Sequence, residues 1–202
     1  MKVINFLLIL LVGSLLLLPL GVNAQDNILQ NPSFEDSEHL NYWVNDGNAT
    51  FIWVEKWHPK EGKWSFGVGN DLDWAQGNAW GRCIQVLKNP DNPDELYPVT
   101  EGEVLNFSMY LKGESGYKGE ASLKIEFFDY NREDGFLRPP IKTLQSNIYK
   151  GEPKWTWVKL NVNGPVPKGT VSIAVSGVSE KMGKGSKYVW FDDGYVSVAT
   201  PQ

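Results

Sequence analysis

No long segment of the chain beyond residue 24 sustains a 3.6-residue apolar period. Short alternating apolar and polar runs recur instead, divided by clusters of Gly, Pro, Asn and Asp, and that combination specifies strands and turns. Nine such runs stand out: Asn27 to Phe34, Thr50 to Trp57, Trp64 to Val68, Cys83 to Leu87, Val104 to Lys112, Ala121 to Asp129, Trp155 to Val162, Val171 to Val178 and Tyr188 to Val198. Turn signals lie between them, at Glu61-Gly62, Asn89-Pro90-Asp91, Gly113 to Gly119 and Pro165 to Gly169. Many short strands at this spacing predict an all-β fold, a jelly-roll β-sandwich of two antiparallel sheets.

The two sides of each run differ. Leu105, Phe107, Met109 and Leu111 share one face of their run, and Asn106, Ser108, Tyr110 and Lys112 the other. Ala121, Leu123, Ile125 and Phe127 oppose Lys124, Glu126 and Phe128. Thr156, Val158, Leu160 and Val162 oppose Trp155, Trp157, Lys159 and Asn161. Successive side chains alternate across a strand, so each sheet should have an apolar inner face and an outer face mixing aromatic with polar groups. Such an outer face suits sugar, whose C–H faces stack on rings while its hydroxyls exchange hydrogen bonds with amides, carboxylates and Lys. An ordinary solvated sheet with a few surface aromatics has the same pattern.

The first 24 residues read as a secretory signal peptide: Lys2, an apolar stretch from Phe6 to Leu20, a break at Pro19 and Gly21, and Val22-Asn23-Ala24 before Gln25. The apolar stretch falls short of the ~20 residues a membrane span prefers, so no span is expected after cleavage. Residues 25–202 are expected to form one domain, secreted to the exterior, the cell surface or a periplasm, and monomeric. The formal net charge is −5, which gives no electrostatic footprint for nucleic acid. Cys83 is the one cysteine, so no intramolecular disulfide can form, and a buried side chain is expected there rather than a reactive thiol. Nine Trp and eight Tyr against two His is an aromatic excess that marks a rich core or a stacking surface.

Asn27-Ile28-Leu29-Gln30-Asn31-Pro32-Ser33-Phe34-Glu35 at the start and Trp190-Phe191-Asp192-Asp193-Gly194 near the end resemble the opening strand and part of the last strand of the jelly-roll carbohydrate-binding modules attached to xylanases and cellulases. Between these, Gly62-Lys63-Trp64-Ser65 looks like the family's Gly-x-x-Ser step, Tyr97 to Glu103 like the turn entering its central strand, and Trp155-Thr156-Trp157 like its later Trp-Thr step. The resemblance implies a structural calcium clipping the first strand to the last, with Glu35 and Asp192 as carboxylate ligands and Gly62 and Ser65 near the carbonyl donors; calcium takes six to eight oxygen ligands. Otherwise the two acids cap turns. The resemblance also implies a ligand face with a Trp, a Tyr and a carboxylate, matched here by Trp74 or Trp80, Tyr110 and Glu126. Arg82, in the Gly- and Asn-rich segment from Asn70, joins them, with Trp53, Trp57 and Trp157 as further candidates. Asp71 stands where several members of the family carry Arg, so the polysaccharide is left open.

Catalytic signals are absent from the sequence. Neither His39 nor His58 lies in a nucleophile-elbow context, and two distant His cannot form a metal-hydrolase cluster. Glu126 and Asp129 are three apart and fall on opposite faces of a regular strand, unlike a glycosidase pair. The expectation is therefore a non-catalytic protein that binds polysaccharide or glycan chains in an aromatic-lined groove. The alternative is a structural or adhesive extracellular β-sandwich without a sugar ligand, in which the Trp side chains are buried.

Overall fold

Alternation along the strands becomes two stacked sheets. The computed structural model describes residues 27–36, 41–54, 62–71, 77–134, 138–151 and 156–199, with backbone alone at 53 and 54. Its strands are β1 (Val44–Gly47), β2 (Thr50–Val54), β3 (Ser65–Asn70), β4 (Ala79–Val86), β5 (Lys88–Asn89), β6 (Asn92–Leu96), β7 (Val104–Gly113), β8 (Glu120–Phe128), β9 (Lys142–Gln145), β10 (Val158–Pro165), β11 (Ser172–Met182) and β12 (Ser186–Ala199). A front sheet runs β1-β4-β11-β8-β9 and a back sheet β10-β7-β12-β3-β2, with β5 and β6 as a separate ribbon. All the pairings are antiparallel. Chain neighbours are thus distributed between the two sheets, which gives the jelly-roll β-sandwich that the alternation and the turns predict.

The inner faces meet in one apolar core. Phe66, Phe107, Leu111 and Phe191 come from the back sheet, and Leu123, Ile125, Phe127 and Val175 from the front. Each is fully buried, and burying a side chain of this size stabilises by about 1.5–3 kcal/mol. Cys83 lies among them, its Sγ facing the Gly177 carbonyl, and burial pushes the thiol pKa up to about 12. At neutral pH it is a protonated, inert core group. Among the described residues no helix is long and apolar enough to cross a membrane.

Several strand boundaries differ from the sequence reading. Residues 27–34 are not a strand; they run as bends and a turn held to β12. The Ile28 amide donates to the Val196 carbonyl, Gly194 donates to Pro32, and Asn27 spans both directions through its side-chain amide. Pro32 and the left-handed Asn31 and Phe34 break the extended backbone there. The runs at Thr50 and Trp64 become β2 and β3, and the run at Cys83 begins earlier, at Ala79. β1, β6 and β9 escape the alternation rule for a shared reason. Val-Asn-Asp-Gly, Asn-Pro-Asp-Glu-Leu and Lys-Thr-Leu-Gln bury little, because β1 and β9 are sheet edges and β6 lies outside both main sheets.

Candidate functional site

β4 carries the site. Its inward residues Ala79, Cys83 and Gln85 enter the core, so Trp80, Arg82, Ile84 and Val86 face outward from the front sheet. Trp80 is one of the few large exposed hydrophobic residues among the described ones, at 38% exposure. The Arg82 guanidinium lies 5.9 Å from its ring centroid. Arg82 also bridges two carboxylates: Nε and Nη2 donate to Asp46 Oδ2 at 3.1 and 2.8 Å, and Nη1 donates to Glu126 Oε2 at 2.9 Å.

Those two acids come from opposite directions. Asp46 on β1 is directly across from Arg82, whereas Glu126 on β8 lies beyond the intervening β11. The small outward residues Ala174 and Ser176 of β11 leave room for that reach. Ser176 is fully buried and its hydroxyl has no hydrogen-bond partner. A second pair, Lys124 with Glu180 at 2.9 Å, borders the same surface. Trp80, Arg82, Lys124, Val178 and Glu180 together line an open pocket of about 340 Å³. Its chemistry is one exposed ring beside fixed hydrogen-bonding charges.

The sequence-derived candidates separate in space. Trp80, Arg82 and Glu126 are brought together. Tyr110 is not with them: β7 belongs to the back sheet, where Tyr110 faces outward beside Lys159, whose Nζ is 5.6 Å from the ring centroid. Both Tyr110 and Glu126 point away from the core, as the alternation requires, but from opposite sheets. The correction has a simple cause: alternation fixes the face of a strand and carries no information on which sheet the strand joins. Trp74 and Trp57 lie outside the described residues, as does the side chain of Trp53. Trp157 is half-buried on the back face, with Lys112 Nζ 5.7 Å from its ring centroid. Asp46, Lys124 and Glu180 were missed. Asp46 sits in the unpatterned edge strand, and the others look like any solvated strand residues.

Residue 35, the start of β3 and the middle of β12 meet at the other candidate site. Glu35 Oε1 accepts hydrogen bonds from the Lys63 and Trp64 amides, both at 2.7 Å. Gly62, at φ +84, leaves that carboxylate its space, since a Cβ there would fall 2.3 Å from Oε1. Asp192 is fully buried; its Oδ1 accepts from the Asp193 amide, and its Oδ2 has no partner. Ser65, also fully buried, has an unpartnered hydroxyl. Burial, with added repulsion from Asp193 and Glu35, pushes the Asp192 pKa up to about 9. A left-handed Asp193 (φ 53) and a register shift after Asp192 locally distort β12 at this point.

No family model matches the sequence, and no curated protein is found to match it. Solved structures do resemble it. One is the CBM22-1 xylan-binding domain of Paenibacillus barcinonensis Xyn10C, at 19% identity and TM-score 0.57, covering 88% of this chain and 97% of that one. Another is the module TmCBM61 in complex with β-1,4-galactotriose, at 15% identity and TM-score 0.54, covering 87% and 100%. A third is a Stig cyclase from Fischerella sp. TAU, at 12% identity and TM-score 0.58, covering 87% and 98%. The chain also matches a bacteriophage CBA120 tailspike enzyme domain, of which it spans 21%. The fold thus hosts both sugar binding and catalysis, and function rests on the site. What these likenesses establish is that the protein has the jelly-roll fold of the carbohydrate-binding modules.

Proposed function

We propose that this is a secreted, non-catalytic protein that binds polysaccharide or glycan chains across the outer face of the front sheet. The observation that carries the reading is the exposed Trp80 ring beside the Arg82, Asp46 and Glu126 network. A pyranose stacks on the ring, and its hydroxyls hydrogen-bond to charges already held in place by one another, so little side-chain entropy is lost on binding. A wet, open surface of this kind gives micromolar or weaker affinity, about −8 kcal/mol at most.

Calcium belongs to the same reading. The unpartnered Asp192 Oδ2, the Glu35 carboxylate and the neighbouring Ser65 and Gly62 segment fit a hard, oxygen-seeking cation. Such an ion would neutralise two facing acids and tie residue 35 to the last strand. Among the described residues no cluster of three or more His, Cys, Asp or Glu forms, so backbone carbonyls and water would complete the shell.

Affinity electrophoresis against xylan, soluble β-glucans, mannan and pectin tests the reading. Retardation by one polymer, lost in Trp80→Ala, is the expected result. Absence of retardation by any of them would favour an adhesive or structural extracellular role.

A further inference from the structure

Beyond Ile84 the front face changes character. Gln30, Tyr42, Val44, Ile84, Val86 and Arg132 line a cleft of about 370 Å³, close to the lower end of small-molecule sites, roughly 300–1,000 Å³. Its lining is mainly apolar. Ile84 and Val86 belong to a small apolar cluster with Phe128, Tyr130 and Ala174, on the solvent side of the sheet rather than in the main core. Tyr42 and Val44 stand at its rim, 47% and 61% exposed. Aliphatic branches of this sort give no flat platform for a pyranose, but they enclose a planar apolar ring well.

Three polar features narrow the choice of ring. The Gln30 backbone is locked by reciprocal hydrogen bonds with Gln85, at 2.9 and 2.8 Å, so its side chain is anchored at the cleft wall. Gln30 Oε1 is buried without a hydrogen-bond partner. A donor entering the cleft, met by rotation of the amide about its last torsion, satisfies that acceptor. On the opposite side, Lys88 is neutralised by Glu133, while the Arg132 guanidinium lies over the Phe128 ring, 5.8 Å from its centroid, and extends a cationic, planar surface. An aromatic ring packs against such a guanidinium. The cleft adjoins the Trp80 and Arg82 surface, since Ile84 and Val86 follow those residues along the outward face of β4.

The geometry points to a second subsite that takes a phenolic ring: apolar enough for Ile84, Val86 and Val44, with a hydroxyl that donates to Gln30. The ring is either a free phenol or a phenolic ester carried on a polysaccharide held by the adjacent surface. The second source rests on the glycan-binding reading, and the first does not.

The test titrates the full chain with methyl 4-hydroxycinnamate and methyl 4-methoxycinnamate, which differ in the donor hydroxyl, using calorimetry or ligand-observed NMR. The hydroxyl ester should bind roughly fivefold tighter, the worth of one hydrogen bond. Gln30→Ala should abolish that preference, and Val44→Asp, at an exposed rim position that does not threaten folding, should weaken both esters. No binding of either ester, or equal binding unaffected by Val44→Asp, overturns the subsite. Affinity electrophoresis with arabinoxylan before and after alkaline removal of its phenolic esters separates the sources. Stronger retardation of the esterified polymer assigns the ring to a polysaccharide; equal retardation with ester binding assigns a free phenol. Retention of stripped polymer without ester binding removes the subsite and leaves the glycan reading. Ester binding without retention of any polymer does the reverse.

Discussion

The outer faces of the two sheets are built from the same alternating pattern, yet Trp80 on one and Trp190 on the other are used in opposite ways. On the front sheet Trp80 stands exposed over a network of charges. On the back sheet Trp190 is only 1% exposed although it also points away from the core. The difference lies in its neighbours. Gly67 and Gly69 of β3 have no side chains, and the rings of Trp190 and Tyr188 lie across them, 5.7 Å apart between centroids. Trp190 Nε1 then donates to Glu114 at 3.1 Å, which satisfies its polar edge. Trp190 is consumed in packing; Trp80 is presented.

The largest effect should come from filling that glycine. A Cβ at Gly67 would fall 2.6 Å from Trp190 Cζ3 and 2.9 Å from two further ring atoms, and the ring has no solvent-side freedom to retreat into. Gly67→Ala should destabilise by about 3 kcal/mol, at the upper end of overpacking effects, measured by denaturant unfolding. Sugar binding by the folded fraction should persist. A loss below about 0.5 kcal/mol would mean that Trp190 is loosely held and that the two faces differ less in packing.

Next comes the buried acid on β12, the central strand of the back sheet. Asp192 has its folded pKa raised to about 9 from an ordinary carboxylate value near 3.8, with burial as the leading cause. The unfolded chain therefore loses this proton near pH 4, whereas the metal-free folded chain keeps it until about pH 9. Unfolding releases a proton in that window, so the Asp192 contribution to stability is intact below pH 4 and declines as pH rises through it. In chelator at pH 8, Asp192→Asn should accordingly gain about 2 kcal/mol, because Asn is neutral in both states and carries no charge to desolvate on folding. With calcium the order should invert, since the ion stabilises the carboxylate that Asn lacks. Calcium binding at pH 7 should also release about one proton, read from calorimetry in buffers of different ionisation enthalpy. A melting temperature indifferent to both calcium and chelator would remove the clip.

Truncating the exposed ring should cost less in energy and more in function. Trp80→Ala should weaken polymer retardation about tenfold, or ~1.4 kcal/mol, while leaving the melting temperature nearly unchanged. Tyr110→Ala, on the opposite face, should leave retardation intact. Equal losses from both would show a ligand wrapping the sandwich edge rather than lying on one sheet.

The sequence was informative where burial acts on side chains in regular alternation. The core faces of β7 and β8 follow directly from Leu105 to Leu111 and from Ala121 to Phe127, because a one-residue slip would turn each row into water. The meeting of Glu35 with the Asp192 segment was legible only through resemblance at two distant chain ends. Sheet membership was not legible at all, and that is why Tyr110 and Glu126 were grouped as one surface. Phe128 shows the same limit: it points outward as read, yet is buried in a local cluster with Ile84 and Tyr130. Local pattern decides direction, and the order of strands decides company.

The smallest effect should sharpen what holds the front site together. Asp46 is 43% exposed on an edge strand, so its attraction to Arg82 is screened, and Asp46→Ala should cost only about 0.5 kcal/mol of stability. Glu126 is far less exposed and is the only other carboxylate paired with Arg82 among the described residues. Losing Asp46 releases the Nε and Nη2 donors, so Arg82 can swing toward Glu126 and away from its position near the Trp80 ring. Retardation by the polymer should then fall two- to threefold, roughly 0.5 kcal/mol, without any change in the core. If affinity is untouched while Glu126→Gln abolishes it, Glu126 alone positions Arg82, and the edge strand contributes stability rather than recognition.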